Sequence, residues 1–204
     1  MSAPPHDRPG DLPHLPLDEL IDLVGRRTPT PGGGAVAAIS LSMAASLVQM
    51  VIAYSDAEAG GEALGETRLV RLRAAGGEAL ALARRDAEAY AAYRAAHRAG
   101  TPEARRAALE AAIDVPLAVC ALAAEVAEAA TRLAAEGNPR LHADAVIASQ
   151  LAAAAAEGAA ALVLSNLAGR VDARRERLDR ALSTCRSAAA ATRAGQPSGG
   201  PGDR

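Results

Sequence analysis

Residues 28–55 read TPTPGGGAVAAISLSMAASLVQMVIAYS and carry no charged side chain. The prolines and glycines of Thr28 to Gly34 forbid a continuous helix at the start of this stretch. Beyond Gly34 the run of Ala, Val, Leu, Ile and Ser predicts one helix to about Tyr54. A bilayer-spanning helix needs about 20 apolar residues. This stretch is largely Ala, Gly and Ser, with Gln49 inside it. It therefore reads as a central helix surrounded by protein on all sides, with no membrane partner.

The rest of the composition agrees with a helical core. The chain has 204 residues, 50% hydrophobic and only 1% aromatic, with no Phe and no Trp. Such a core is built from Ala, Leu, Val and Ile. Alanine is the strongest helix former, and its small side chain lets helix axes approach closely. The strand-favouring β-branched and aromatic residues are scarce. All 22 basic residues are arginine, which excludes lysine Schiff-base chemistry and a lysine-type phosphate loop. A net charge of −2 and nearly absent aromatic platforms argue against a nucleic-acid partner. Cys120 and Cys185 have neither metal-ligand nor redox-pair spacing, which suits a reducing, cytoplasmic setting. The N-terminal residues lack the apolar stretch of a secretion signal. The histidines His6, His14, His97 and His142 are scattered, and no metal site is expected.

Working outward from the uncharged helix, Leu17 to Arg27 predicts a short amphipathic helix. Asp56 to Gly65 predicts a turn, followed by a long helix from about Glu66 to Ala99. Thr101 can cap a helix with Pro102 at its first position, running to about Glu136 with a kink at Pro116. Asn138 and Pro139 start another helix, to about Ala168, and a last one covers about Asp172 to Arg193. The expectation is an all-α, single up-and-down bundle of about five long helices, which dimerises. Its domain spans residues 14–194, with a mobile arm over 1–13 and a disordered tail over 195–204.

Charged groups on apolar helix faces are informative, because burying a charge is costly. Leu72, Ala79, Leu82, Asp86, Tyr90 and Tyr93 share one face at helical spacing, so Asp86 points toward the core side. Asp144 shares its face with Ile147, Ala148 and Leu151 and is expected on an inward stripe. Two inward carboxylates suit an acid/base pair, and equally a salt bridge or a helix cap. Gly32, Gly33 and Gly34 open a helix whose free N–H groups can bind an anion or a polarised carbonyl, or form a tight turn. Asn166 follows Asp144 by a near-whole number of turns, roughly 33 Å along one helix. The two cannot serve one small site in a single subunit. An antiparallel partner chain would bring them together.

Four stretches resemble the cyclodeaminase/cyclohydrolase family. Thr30-Pro-Gly-Gly-Gly-Ala-Val-Ala-Ala38 is similar to its PTPGGGS-type opening, and Arg85-Asp-Ala-Glu-Ala-Tyr90 to its (K/R)DAxA(F/Y) helix. Val115-Pro-Leu117 resembles its central VP step. Gly137-Asn-Pro-Arg-Leu-His-Ala-Asp144 with Asn166-Leu167 resembles its GNP…SD…NL pattern. The resemblance implies an all-α homodimer that acts on one-carbon derivatives of tetrahydrofolate and holds no tightly bound cofactor. The implied reactions are closure of formimidoyl- to methenyltetrahydrofolate with loss of ammonia, or interconversion of the methenyl and 10-formyl forms. Asp86 and Asp144 match the family's motif aspartates, as acid/base and electrostatic stabiliser in either order. Pro31, Gly32, Gly33, Gly34, Tyr90, Asn138 and Asn166 are the implied substrate-binding set, with Tyr54 and Tyr93 further stacking candidates and arginines for the glutamate tail. Ala35, Ala143 and Leu162 stand where many members carry Ser, Ser and Asn. That pattern also suits a divergent member handling another small molecule, or a non-catalytic dimeric scaffold.

Overall fold

The computed structural model describes residues 9–59 and 66–194. Its α-helices are α1 (Leu17–Gly25), α2 (Gly33–Ala59), α3 (Glu66–Ala99), α4 (Pro102–Glu136), α5 (His142–Leu167) and α6 (Arg174–Ala194). The described residues contain six helices rather than about five, because the short α1 stands beside the five long ones, and they contain no strand. Within the stretch expected as an arm, Pro9–His14 forms a 3-10 turn that packs on α3 and buries Leu12. Residues 1–8, the tail 195–204 and the turn at Gly60-Gly61 lie outside the described residues.

Cross-links between helices fix the direction of each. Ser42 Oγ donates to the Gly76 carbonyl (2.9 Å) and Gln49 Nε2 to that of Leu72 (3.2 Å), so α2 and α3 are antiparallel. Arg105 Nε reaches back to the Ala96 carbonyl at 3.2 Å, and Arg71 pairs with Glu125 across α3 and α4. Cys120 Sγ lies 3.4 Å from the Ala156 carbonyl and His142 Nδ1 lies 2.9 Å from that of Ala134, which makes α4 and α5 antiparallel. Gln150 Nε2 donates to the Ala189 carbonyl (2.9 Å), turning the chain once more into α6. The long helices alternate up and down.

The most enclosed element is α4, which packs on α2, α3, α5 and α6 and buries Ile113, Leu117, Cys120, Ala123, Val126 and Ala130. The expectation that α2 is wrapped on all sides is corrected. Val36, Met43 and Tyr54 form an exposed apolar stripe along it, with Met43 49% and Tyr54 57% accessible. By length and composition Gly33–Ser55, Pro102–Glu136 and Pro139–Leu167 could each cross a membrane, yet half or more of each apolar window is buried within the bundle. Helix packing accounts for that apolarity. Ends are closed by the residues that local chemistry favours. Thr101 Oγ1 accepts from Ala104 N (3.2 Å), and Asn138 Oδ1 accepts from Arg140 N (2.9 Å), each with a proline next in the chain.

Candidate active site

The N-terminus of α2 faces a cavity of about 270 Å³. The loop from Pro29 to Gly32 forms one wall, and α3, α4 and α5 supply the others. Asp86 comes from α3. It takes the place of a local capping side chain, since its carboxylate accepts a hydrogen bond from the Ala35 N–H in the first turn of α2. The approach is close: a Cβ on Gly34 would sit 2.0 Å from Asp86 Oδ1. Only glycine leaves room for the carboxylate there, which gives the third glycine of the run a specific task. Burial pushes the Asp86 carboxyl above its ordinary value, and the Ala35 N–H partly offsets this. A half-buried carboxylate that takes up protons more readily than usual is suited to proton transfer.

One and two turns further along α3, Tyr90 and Tyr93 line the same cavity. Tyr93 packs against the His97 ring (centroids 4.0 Å apart), and the Arg94 guanidinium lies 6.0 Å from the Tyr90 ring. Asn166 enters from the last turn of α5, where its Nδ2 donates to the Ala112 carbonyl of α4 at 2.8 Å. Leu162, one turn earlier, provides an apolar wall.

Of the residues singled out from sequence, the cavity brings together Gly32, Gly33, Gly34, Asp86, Tyr90, Tyr93 and Asn166. Pro31, within the loop, is buried and does not line the cavity. Asp144 and Asn138 lie at the far end of α5. There the Asn138 N–H donates to Ser55 Oγ (3.2 Å) near the C-terminal end of α2. Tyr54 is at that end too. The stripe expected to carry Asp144 inward is split in the single chain: Ala148 is buried and Leu151 packs against the core, whereas Ile147 is 49% accessible and Asp144 lies partly exposed at the margin. An apolar helix stripe marks a buried face, and burial against another molecule leaves the same pattern as burial in the core. Sequence reasoning missed Pro29, Thr30, Ala89 and Ala112 as lining residues. Thr30 opens the glycine motif quoted from the sequence, and for Ala112 the signal was the proline four residues later.

The two cysteines are free and buried. Burial pushes each thiol up to about 12, which removes them as nucleophiles near neutral pH. Among the described residues, no group of three or more His, Cys, Asp or Glu side chains could hold a metal ion.

These features define a class first: an all-α bundle with a small-molecule cavity where one carboxylate meets a helix N-terminus. Residues 16–183 match the formiminotransferase-cyclodeaminase family, and the chain belongs to it. It is 34% identical to a methenyltetrahydrofolate cyclohydrolase of Methylorubrum extorquens, a match covering 75% of this chain and 79% of that one. Its fold is similar to the crystal structure of a formiminotetrahydrofolate cyclodeaminase from Thermotoga maritima. That match has a TM-score of 0.82 and 27% identity, covering 89% of this chain and 96% of the other.

Proposed function

We propose that the protein is an enzyme acting on a one-carbon derivative of tetrahydrofolate, and that Asp86 is its acid/base. The observation that carries this reading is the half-buried, proton-favouring carboxylate held at the head of α2 beside Tyr90, Tyr93 and Asn166. Hydrolysis of the methenyl form is the first reaction to test, because the 34% identical relative is a cyclohydrolase. The similarity to a cyclodeaminase structure supports ring closure with loss of ammonia as the second.

Both reactions form a tetrahedral adduct at a carbon held between two nitrogens. In hydrolysis, Asp86 takes a proton from water as the oxygen–carbon bond forms. It returns that proton to the departing nitrogen as one carbon–nitrogen bond breaks, and the adduct's hydroxyl proton is released to solvent, leaving the formyl group on the other nitrogen. In cyclodeamination the nucleophile is a ring-forming nitrogen, and the proton goes to the departing ammonia. The substrate carbon carries positive charge in each case, which a carboxylate stabilises. A cavity of about 270 Å³ lies just below the span of whole-ligand sites, roughly 300–1,000 Å³. It suits the bicyclic head, with the tyrosines to stack on it and the glutamate tail outside near exposed arginines.

The reading includes a homodimer. Val36, Met43 and Tyr54 on α2, and Ala143, Ile147, Ala154 and Ala161 on α5, are exposed and uncharged. α2 and α5 run antiparallel, since Gly34 and Asn166 meet at one end and Ser55 and Asn138 at the other. A two-fold axis through this face would bring the partner's α5 start beside the cavity, so that the partly exposed Asp144 completes the site from the second copy, while the buried Asn138 holds the start of α5 in place. Free buried thiols fit a cytoplasmic location.

The test is to add purified protein to 5,10-methenyltetrahydrofolate and follow its near-ultraviolet absorbance, with formimidoyltetrahydrofolate in parallel. Accelerated loss of the methenyl signal supports cyclohydrolase action, and its appearance from the formimidoyl compound supports cyclodeaminase action. Inertness toward both, without binding, would sink the folate reading in favour of another small molecule.

A further inference from the structure

Pro116 stands in the interior of α4. A proline has no backbone N–H, so the carbonyl four residues earlier loses its helical hydrogen bond. That carbonyl belongs to Ala112. It is filled instead from another helix, by Asn166 Nδ2 at 2.8 Å. An amide oxygen cannot face a carbonyl oxygen, so the Asn166 side chain sits one way only, nitrogen toward α4. Its oxygen Oδ1 is then the end left for a ligand. Ala112 and Asn166 both line the cavity.

We infer that Pro116 is a positioning residue: by leaving the Ala112 carbonyl unpaired within α4, it fixes Asn166 so that Oδ1 is offered to the cavity as a hydrogen-bond acceptor. The geometry is braced from beside it. Arg174, the first residue of α6, binds Glu110 Oε2 at 2.7 Å and Asp114 Oδ1 at 3.0 Å, two residues to either side of Ala112 along α4. Arg174 also binds Asp172 Oδ2 at 2.6 Å, which ties the α5–α6 connection to the same turn of α4. With Oδ1 of Asn166 and the carboxylate of Asp86 both accepting, the cavity selects a ligand head that donates N–H groups or carries positive charge. This selection rests on the folate reading, whereas the orientation of Asn166 does not.

The experiment uses Pro116→Ala, which restores an N–H directed at the Ala112 carbonyl. In the ligand-free protein, the Asn166 side-chain amide protons are assigned by their loss in Asn166→Asp. In wild type one of them should exchange slowly with solvent. In Pro116→Ala it should exchange about tenfold faster or more, as expected for one lost hydrogen bond. The variant should melt at a higher temperature, since a helix-interior proline is gone. Its KM for methenyltetrahydrofolate should rise about tenfold while kcat changes by less than about twofold. Pro116→Ser serves as the second variant should the first not fold. Unchanged exchange at Asn166 overturns the inference, and so does an unchanged KM in a wild-type background that turns the substrate over. A wild-type protein inert toward the folate overturns the functional reading alone, because the exchange data still decide the orientation.

Discussion

At the scale of single residues the site turns on Asp86 and Gly34. The Asp86 carboxyl titrates above its unfolded value, mainly through burial. Its ionised form is therefore disfavoured by folding. Its contribution to stability is full below the unfolded value near pH 3.9 and is lost as pH rises through the folded value. Asp86→Asn keeps the acceptor for the Ala35 N–H and removes the charge. It should melt a few degrees above wild type at pH 7, at about 2–4 °C per kcal/mol, and level with wild type near pH 3. Thermal denaturation at both pH values checks this. Gly34→Ala tests the close approach. Alanine gains up to about 1 kcal/mol of helix propensity, yet its Cβ evicts the Asp86 carboxylate. Melting temperature should hold or rise while turnover falls by roughly 10²–10⁴, a split that a purely structural glycine would not produce. Asp86 was legible in the sequence because a carboxylate on an apolar helical face has few explanations. The task of Gly34 was not legible, since a glycine run reads equally as a turn, and only the path of α3 past it separates the two.

At the scale of elements, most helices could be read because their ends are written in local chemistry. Thr101-Pro102 and Asn138-Pro139 cap and start helices where expected. The expected end of α2 near Tyr54 was early, since the helix runs on to Ala59. Asp56 to Ala59 breaks the uncharged pattern but not the helix, because Ala and Glu propagate helices well. α6 begins at Arg174 rather than Asp172, because Asp172 Oδ1 accepts from the Arg174 N–H and so precedes the first turn. The link between Pro116 and Asn166 was beyond sequence reading: the proline was visible as a kink, but the helix that fills the vacant carbonyl was not. The α5 C-terminus carries a strained residue, Ala168 at φ 48°. The left-handed region costs an L-residue with a Cβ roughly 1–2 kcal/mol, against about 0.4–1 kcal/mol of added chain entropy for glycine when unfolded. Ala168→Gly should therefore stabilise the protein by about 0.5–1 kcal/mol, read from urea unfolding at constant slope.

At the scale of the whole molecule, the bundle's alternation was legible from composition and helix ends, but its layering was not. The uncharged α2 looked central, whereas α4 holds that place and α2 exposes a stripe. The apolar pattern records that a face is buried, without saying by which partner. The dimer proposal makes this concrete. Wild type should sediment at twice the 20.6 kDa chain mass. Met43→Asp, on the exposed α2 stripe, should give a monomer of unchanged helicity that has lost turnover. A monomer retaining wild-type turnover would contradict the placement of the partner's Asp144 at the cavity. The cavity beside Asp86 as the seat of the chemistry is tested most directly by one rate: loss of methenyltetrahydrofolate absorbance catalysed by wild type and by Asp86→Asn at pH 7. The proposed function predicts catalysis by wild type and at least about 100-fold less by the variant, with the variant folded and no less stable. A folded Asp86→Asn that turns over at the wild-type rate would contradict it.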